Sequence, residues 1–184
     1  MNAYARSKGV EMFPSINTLG HLSTIFRWPQ YNAINDASDI LLCEDERTYE
    51  LIEKMIATCA ECFDSRIISV SMDEAELLGR GRYLELHGYQ KSLDILKRHM
   101  ARVCEITDKY GYEMMLVAGD MPVRLATGND SYIDPNKTVT EDVSDLMPQN
   151  AALMYWEYYK RDKDIYKAHI DIHQQIKKDN LWYL

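Results

Sequence analysis

The chain has 184 residues, a 46% apolar content and a formal charge of −8, the profile of an ordinary globular domain with enough apolar surface for one core. The acidic balance leaves no Lys/Arg stripe to displace counterions from a phosphate backbone, which argues against nucleic acid as a partner. No apolar run reaches the roughly 20 residues of a membrane span, and the opening MNAYARSKGVEMF lacks the apolar centre of a secretory signal. No membrane association and a cytoplasmic location are therefore expected.

In chain order, the first element is GVEMFPSI, Gly9 to Ile16, a near-continuous apolar run of the kind found in parallel strands covered on both faces. DERTYELIEKMIATCAECF follows a long loop and has helical periodicity with acids in its first turn. RIISVSM, Arg66 to Met72, is the second strand. YQKSLDILKRHMARVCEITDKYG is the next helix, ending in Lys and Gly. YEMMLVA, Tyr112 to Ala118, is the third strand, followed by a short helix. AALMYWE, Ala151 to Glu157, is the fourth, and DKDIYKAHIDIHQQIKKDN is a closing helix.

This alternation predicts a single α/β domain over residues 1–184, with a parallel sheet and right-handed crossovers. The loops leaving the strands are long and those entering them are short. Long loops at the carboxyl ends of parallel strands are where such folds build their sites. The polar stretch GNDSYIDPNKTVTEDVSD reads as a flexible surface loop.

Cys43, Cys59, Cys62 and Cys104 are spaced irregularly. With no second CxxC or His pair to complete a metal site, they are expected to be buried free thiols. His87, His99, His169 and His173 are expected at the surface, in a loop or on helix faces. His169 and His173 have an i, i+4 spacing but no third ligand, so neither a metal nor any other cofactor is expected. Met114, Met115 and Met154 read as core fillers.

The polar residues at the strand ends are Asn17 and His21 after the first, Asp73 and Glu74 after the second, Asp120 after the third, and Tyr155 with Glu157 at the fourth. A carboxylic acid that donates a proton near neutral pH needs a raised pKa, which a neighbouring carboxylate and an apolar wall can supply. Spacing alone also fits a solvated strand end for the Asp73–Glu74 pair and a hydrogen-bonded structural role for His21. Asp120 could equally be a buried, hydrogen-bonded acid or a pocket residue.

The segments SMDEAELLGRGRYLELHG, FPSINTLGHL, FRWPQYNAINDASDILLCEDERTYELI and AGDMPVRLA together resemble glycoside hydrolase family 20, the β-N-acetylhexosaminidases. The resemblance runs from about Gly9 to Tyr159. It implies a retaining hydrolysis of terminal β-linked N-acetylhexosamines in which the substrate's own acetamide oxygen attacks the anomeric carbon. By resemblance, Glu74 is the general acid and Asp73 orients the acetamide nitrogen. His21 lies in the hydrogen-bond network behind them, Tyr155 donates to the acetamide oxygen, and Glu157 stands where a sugar-binding Asp is usual. Asp120 is counted with the substrate-binding residues. Trp156, next to Tyr155 on a strand, is expected to pack rather than stack on sugar.

The sequence departs from the family pattern at several places. Ser69 and Ser71 stand for a His and a Gly before the acid pair, and Glu76 stands for a His after it. Ala118, Gly119 and Asp120 replace a Trp-Ser-Asp segment whose tryptophan walls the sugar. A complete (β/α)8 barrel needs roughly 250 residues. The four expected strands match the middle of one, making the fold a partial, half TIM barrel. Such a half barrel has two open edges and an exposed inner layer, so a homodimer or a second chain that completes the barrel is expected. The other reading of the same features is a catalytically inactive, self-associating half-barrel fragment or engineered scaffold.

Overall fold

The computed structural model describes residues 1–128, 134, 136–143 and 145–184. The polar loop singled out above lies partly outside them, at 129–133, 135 and 144. The elements run α1 (Asn2–Ser7), α2 (Glu46–Cys62), β1 (Ile67–Ser71), α3 (Arg82–His87), α4 (Ser92–Lys109), β2 (Met114–Ala118), α5 (Asp120–Thr127), β3 (Ala151–Tyr155), α6 (Lys163–Ile176) and β4 (Leu181–Tyr183). The four strands form one parallel sheet in the order β1-β2-β3-β4. Helices alternate with the strands, as in part of an α/β barrel.

Local chemistry sets most boundaries. Asp45 caps α2 by accepting the Arg47 N–H at 3.0 Å, and Asp162 caps α6 by accepting that of Asp164 at 2.9 Å. The C-terminal stop of α5 is Gly128, whose left-handed φ of 62° and ψ of 30° an L side chain would resist.

Two elements differ from expectation. The Gly9–Ile16 run is not a ladder strand. It touches the sheet through one parallel bridge, Ser15 to Ser69, with Ile16 N–H donating to Ser69 and Ser69 N–H to Pro14, both at 2.9 Å. Pro14 has no N–H to give, which shortens the ladder. At the other end α6 stops at Ile176 rather than at the expected Asn180, and Leu181–Tyr183, expected in no element, pairs with β3 as a strand.

Strand alternation divides the sheet into two faces. Ile68, Val70, Met115, Val117, Ala151, Leu153 and Tyr155 face the helices and form the main core with Ile52, Ile56, Leu96, Met100 and Val103. The other face carries Ser69, Ser71, Leu116, Ala118, Ala152 and Met154. Phe13 beside β1 and Trp182 on β4 meet there edge to face, with centroids 6.1 Å apart and planes at 83°. In a flat sheet the outermost of these five strand positions would be roughly 19 Å apart. The sheet is therefore strongly curled, and Ser69, Leu116 and Ala152 are fully buried within its concave side. The inner layer is more covered by its own chain than the sequence suggested.

Cys43 and Cys104 are buried, whereas Cys59 is half-buried and Cys62, the last residue of α2, is exposed. His87 is exposed, but His99, His169 and His173 are buried. The helical pattern counted these three imidazoles as polar, yet each finds a partner inside. No helix among the described residues is long and apolar enough to cross a membrane.

Candidate active site at the carboxyl end of the sheet

The loop after Ile16 crosses the end of β1 and is pinned from below. Thr18 N–H donates to the Val70 carbonyl at 3.3 Å and its hydroxyl donates to the same oxygen at 2.9 Å. Its own carbonyl accepts from His99 Nε2–H at 2.9 Å, while His99 Nδ1 lies 3.4 Å from the Tyr49 hydroxyl. Burial lowers the His99 pKa to about 4, so it is neutral at pH 7. The sequence reading missed this role, since nothing in the helical period marks His99 as an anchor for a distant loop.

Gly20 and His21 follow directly. A Cβ on Gly20 would sit 2.7 Å from the Asp73 carbonyl oxygen, so only glycine permits this approach of the two loops. His21 Nε2 then lies 3.1 Å from Asp73 Oδ2 and 3.4 Å from Glu74 Oε2, between the two carboxylates. This contact brings His21, Asp73 and Glu74 into one cluster.

The acid pair sits on a distorted strand end. The β1–β2 register slips between Ser69 and Ser71, and Ser71, Met72 and Glu74 have φ of 56°, 73° and 50°. Non-glycine residues in this region are uncommon and carry strain, which collects at functional sites. His21, with φ of 59°, belongs to the same group.

Asp120 is the first residue of α5 and is fully buried beneath the pair rather than in the hollow, which corrects its expected contact with substrate. Its Oδ2 accepts the Glu74 backbone N–H at 2.9 Å, and Arg124 Nε lies 3.8 Å from the same oxygen. Desolvation raises its pKa to about 6, the Glu74 N–H bond opposing and the Asp73 charge adding to the rise. Arg124 also reaches to within 3.6 Å of Glu76, the third nearby carboxylate.

A hollow of about 400 Å³ opens above the pair, lined by Ser71, Asp73, Glu74, Met154, Trp156 and Tyr158 among others. Trp156 and Tyr158 are stacked, 5.7 Å between centroids with planes at 25°, and Tyr159 meets Tyr158 edge to face. The expected parity of β3 is thus reversed. Met154 and Trp156 face the hollow, so Tyr155 between them faces α6. Tyr155 is buried there against Tyr166, His169 and His173, its hydroxyl 3.2 Å from His169 Nδ1. Glu157 is also turned away, its Oε1 accepting the N–H groups of Tyr159 and Lys160 at 2.6 and 3.2 Å. The structure therefore gathers His21, Asp73 and Glu74 at the hollow with Asp120 behind them, and directs Tyr155 and Glu157 elsewhere.

Four carboxylates, those of Asp73, Glu74, Glu76 and Asp120, surround one guanidinium and one imidazole in this cluster. Such a field favours species that develop positive charge. Stacked aromatic faces beside it offer a platform for the apolar face of a pyranose ring.

No protein-family model matches the sequence, and no curated protein matches it significantly. Solved structures do match in fold. They include a β-N-acetylhexosaminidase of Streptomyces coelicolor A3(2), with TM-score 0.58 and 15% identity over 99% of this chain. That of Bacteroides fragilis gives TM-score 0.61 and 16% identity over 91% of the chain. An exo-β-N-acetylglucosaminidase of Vibrio harveyi, solved in complex with N-acetylglucosamine, gives TM-score 0.64 and 15% identity over 95%. The chain spans 32%, 32% and 26% of these three structures. In fold, this chain is a partial α/β barrel similar to a portion of the TIM-barrel domain of glycoside hydrolase family 20 β-N-acetylhexosaminidases.

Proposed function

We propose that the hollow is a sugar site for terminal β-linked N-acetylhexosamine, hydrolysed with retention through the substrate's own acetamide group. The observation that carries the reading is the bridging of Asp73 and Glu74 by His21 at the base of an aromatic-walled hollow. Glu74 protonates the leaving glycosidic oxygen while the acetamide oxygen attacks the anomeric carbon from the opposite face. The Asp73 carboxylate accepts the acetamide N–H and stabilises the positive charge of the resulting oxazolinium. Glu74, now ionised, takes a proton from the water that opens this ring, and the starting configuration at carbon returns. His21 holds the two carboxylates apart in direction, and the Trp156–Tyr158 stack supports the sugar ring. No metal or other cofactor takes part in these steps, and a cytoplasmic setting belongs to the same proposal.

A chromogenic β-N-acetylglucosaminide tests it. Wild-type turnover should fall by about 10²- to 10⁴-fold in Glu74→Gln, with the sugar still bound. Equal background rates in the two proteins would reject hydrolysis.

A second reading is favoured by the engagement of Tyr155 and Glu157 away from the hollow, and by the limited share of the barrel that the chain spans. In it, the chain is an inactive half barrel that associates with a second copy or with a partner chain. Binding of N-acetylglucosamine without turnover, together with a dimer mass by light scattering, would favour this reading over the first.

A further inference from the structure

Asp120 is a fully buried carboxylate that the mechanism above does not use. It joins two elements at one point. Its own backbone begins α5 immediately after β2, and its Oδ2 takes the N–H of Glu74, 46 residues away in the chain. The residue it holds has a left-handed φ of 50°, in a turn where Ser71 and Met72 are left-handed as well. Such a backbone persists only where surrounding contacts over-determine it. On the other side, the Asp73 carbonyl abuts Gly20. The turn is therefore clamped between Gly20 and Asp120.

We propose that Asp120 is a positioning residue: by accepting the Glu74 backbone N–H it holds the strained turn that aims the acid pair into the hollow. The proposal rests on the sugar-site reading for its link to catalysis but not for its geometry. The clamp depends on charge. An ionised carboxylate makes a stronger, shorter bond to N–H than a neutral acid does, and burial has moved the Asp120 carboxyl to about 6, where the exchange between the two forms falls near neutral pH. The titratable and charged groups around it are Asp73 and Glu74 from the turn after β1, Glu76 beyond them, Arg124 on α5 and His21 from the first loop. His173 of α6 packs on the adjacent Gly119. As pH falls through about 6, Asp120 gains its proton and the Glu74 turn loosens.

Backbone amide NMR of the full chain reads this directly. In the wild type the Glu74 amide resonance should move with an apparent midpoint near 6. In Asp120→Asn, which keeps an acceptor oxygen but cannot ionise, the resonance should lose that titration. In Asp120→Ala the Glu74 amide should exchange with solvent about tenfold faster or more. On a chromogenic β-N-acetylglucosaminide, kcat of Asp120→Ala should fall about 10- to 100-fold with a smaller change in KM. Asp120→Asn should lose the limb of the pH–rate profile near 6. A Glu74 amide that does not titrate in the wild type, or that titrates unchanged in Asp120→Asn, overturns the proposal. If Asp120→Ala does not fold, the comparison of wild type with Asp120→Asn still decides. A wild type with no turnover, whose Glu74 amide titrates and loses that titration in Asp120→Asn, rejects the hydrolytic reading and supports the clamp.

Discussion

At the scale of single residues, the acid pair is held by contacts that tolerate little change. Gly20→Ala would place a methyl group against the Asp73 carbonyl oxygen, a backbone atom that cannot swing aside. The expected cost is about 1–3 kcal/mol, seen as a fall in Tm of about 2–4 °C per kcal/mol for a chain of this size. A circular-dichroism melt measures the loss. A substitution that leaves Tm unchanged would show that the two loops are not in contact. The carboxylates themselves were legible in the sequence because two adjacent acids after an apolar run are conspicuous. The side of the sheet to which each residue of AALMYWE turns was not. That strand is apolar on both faces, so a period of two cannot say which face is which. The family resemblance set Tyr155 in the site, strand alternation then turned Trp156 out of it, and the structure reverses both.

Secondary-structure elements couple to the site through buried imidazoles. His99 on α4 holds the loop that delivers His21, and His173 on α6 lies against Gly119, where an added Cβ would collide with its ring. Burial lowers both pKa values to about 4, from 6.5 when unfolded. With a lowered pKa, each stays neutral in the folded protein while the unfolded chain takes up a proton. Stability is therefore lost as pH falls from about 6.5 to 4, by about 3 kcal/mol for each group at most. Asp120 acts in the opposite sense. Its folded pKa of about 6 exceeds the unfolded 3.8, so its contribution is full below 3.8 and is lost as pH rises to 6. Two histidines outweigh one acid, and urea midpoints should fall on acidification across this window. His99→Gln should flatten the slope, and an unchanged slope would place the acid sensitivity elsewhere. The helices α2 and α4 were readable from periodicity and capping. The buried histidines were not, because their partners Thr18, Tyr49 and Tyr155 come from distant parts of the chain.

For the whole molecule, the alternation of strands and helices predicted a parallel α/β sheet and the family resemblance a partial barrel, and the structure has that architecture. The two ends of the sheet departed from expectation in opposite senses, the first expected as a full strand and the last as none. Pro14 interrupts a run whose composition otherwise suits a strand, and Leu181–Tyr183 is too short to announce itself after a helix rich in Lys and Gln. These two pieces meet through Phe13 and Trp182. Phe13 is 36% exposed, so Phe13→Ala should open the concave face, destabilise the fold by only about 1 kcal/mol through the lost ring pair, and raise the fraction of dimer or higher oligomer seen by light scattering. A variant with unchanged stability and an unchanged oligomer distribution would mean that the inner layer needs no cover. The same ring pair sets the order in which the protein can assemble. Phe13 is synthesised before β1 and Trp182 only with β4, so a chain emerging from the ribosome cannot shut its curved sheet until all of the sequence between the two rings is available. Until then the inner face around Leu116 and Ala152 waits uncovered, and chaperone demand during translation should be concentrated on that interval.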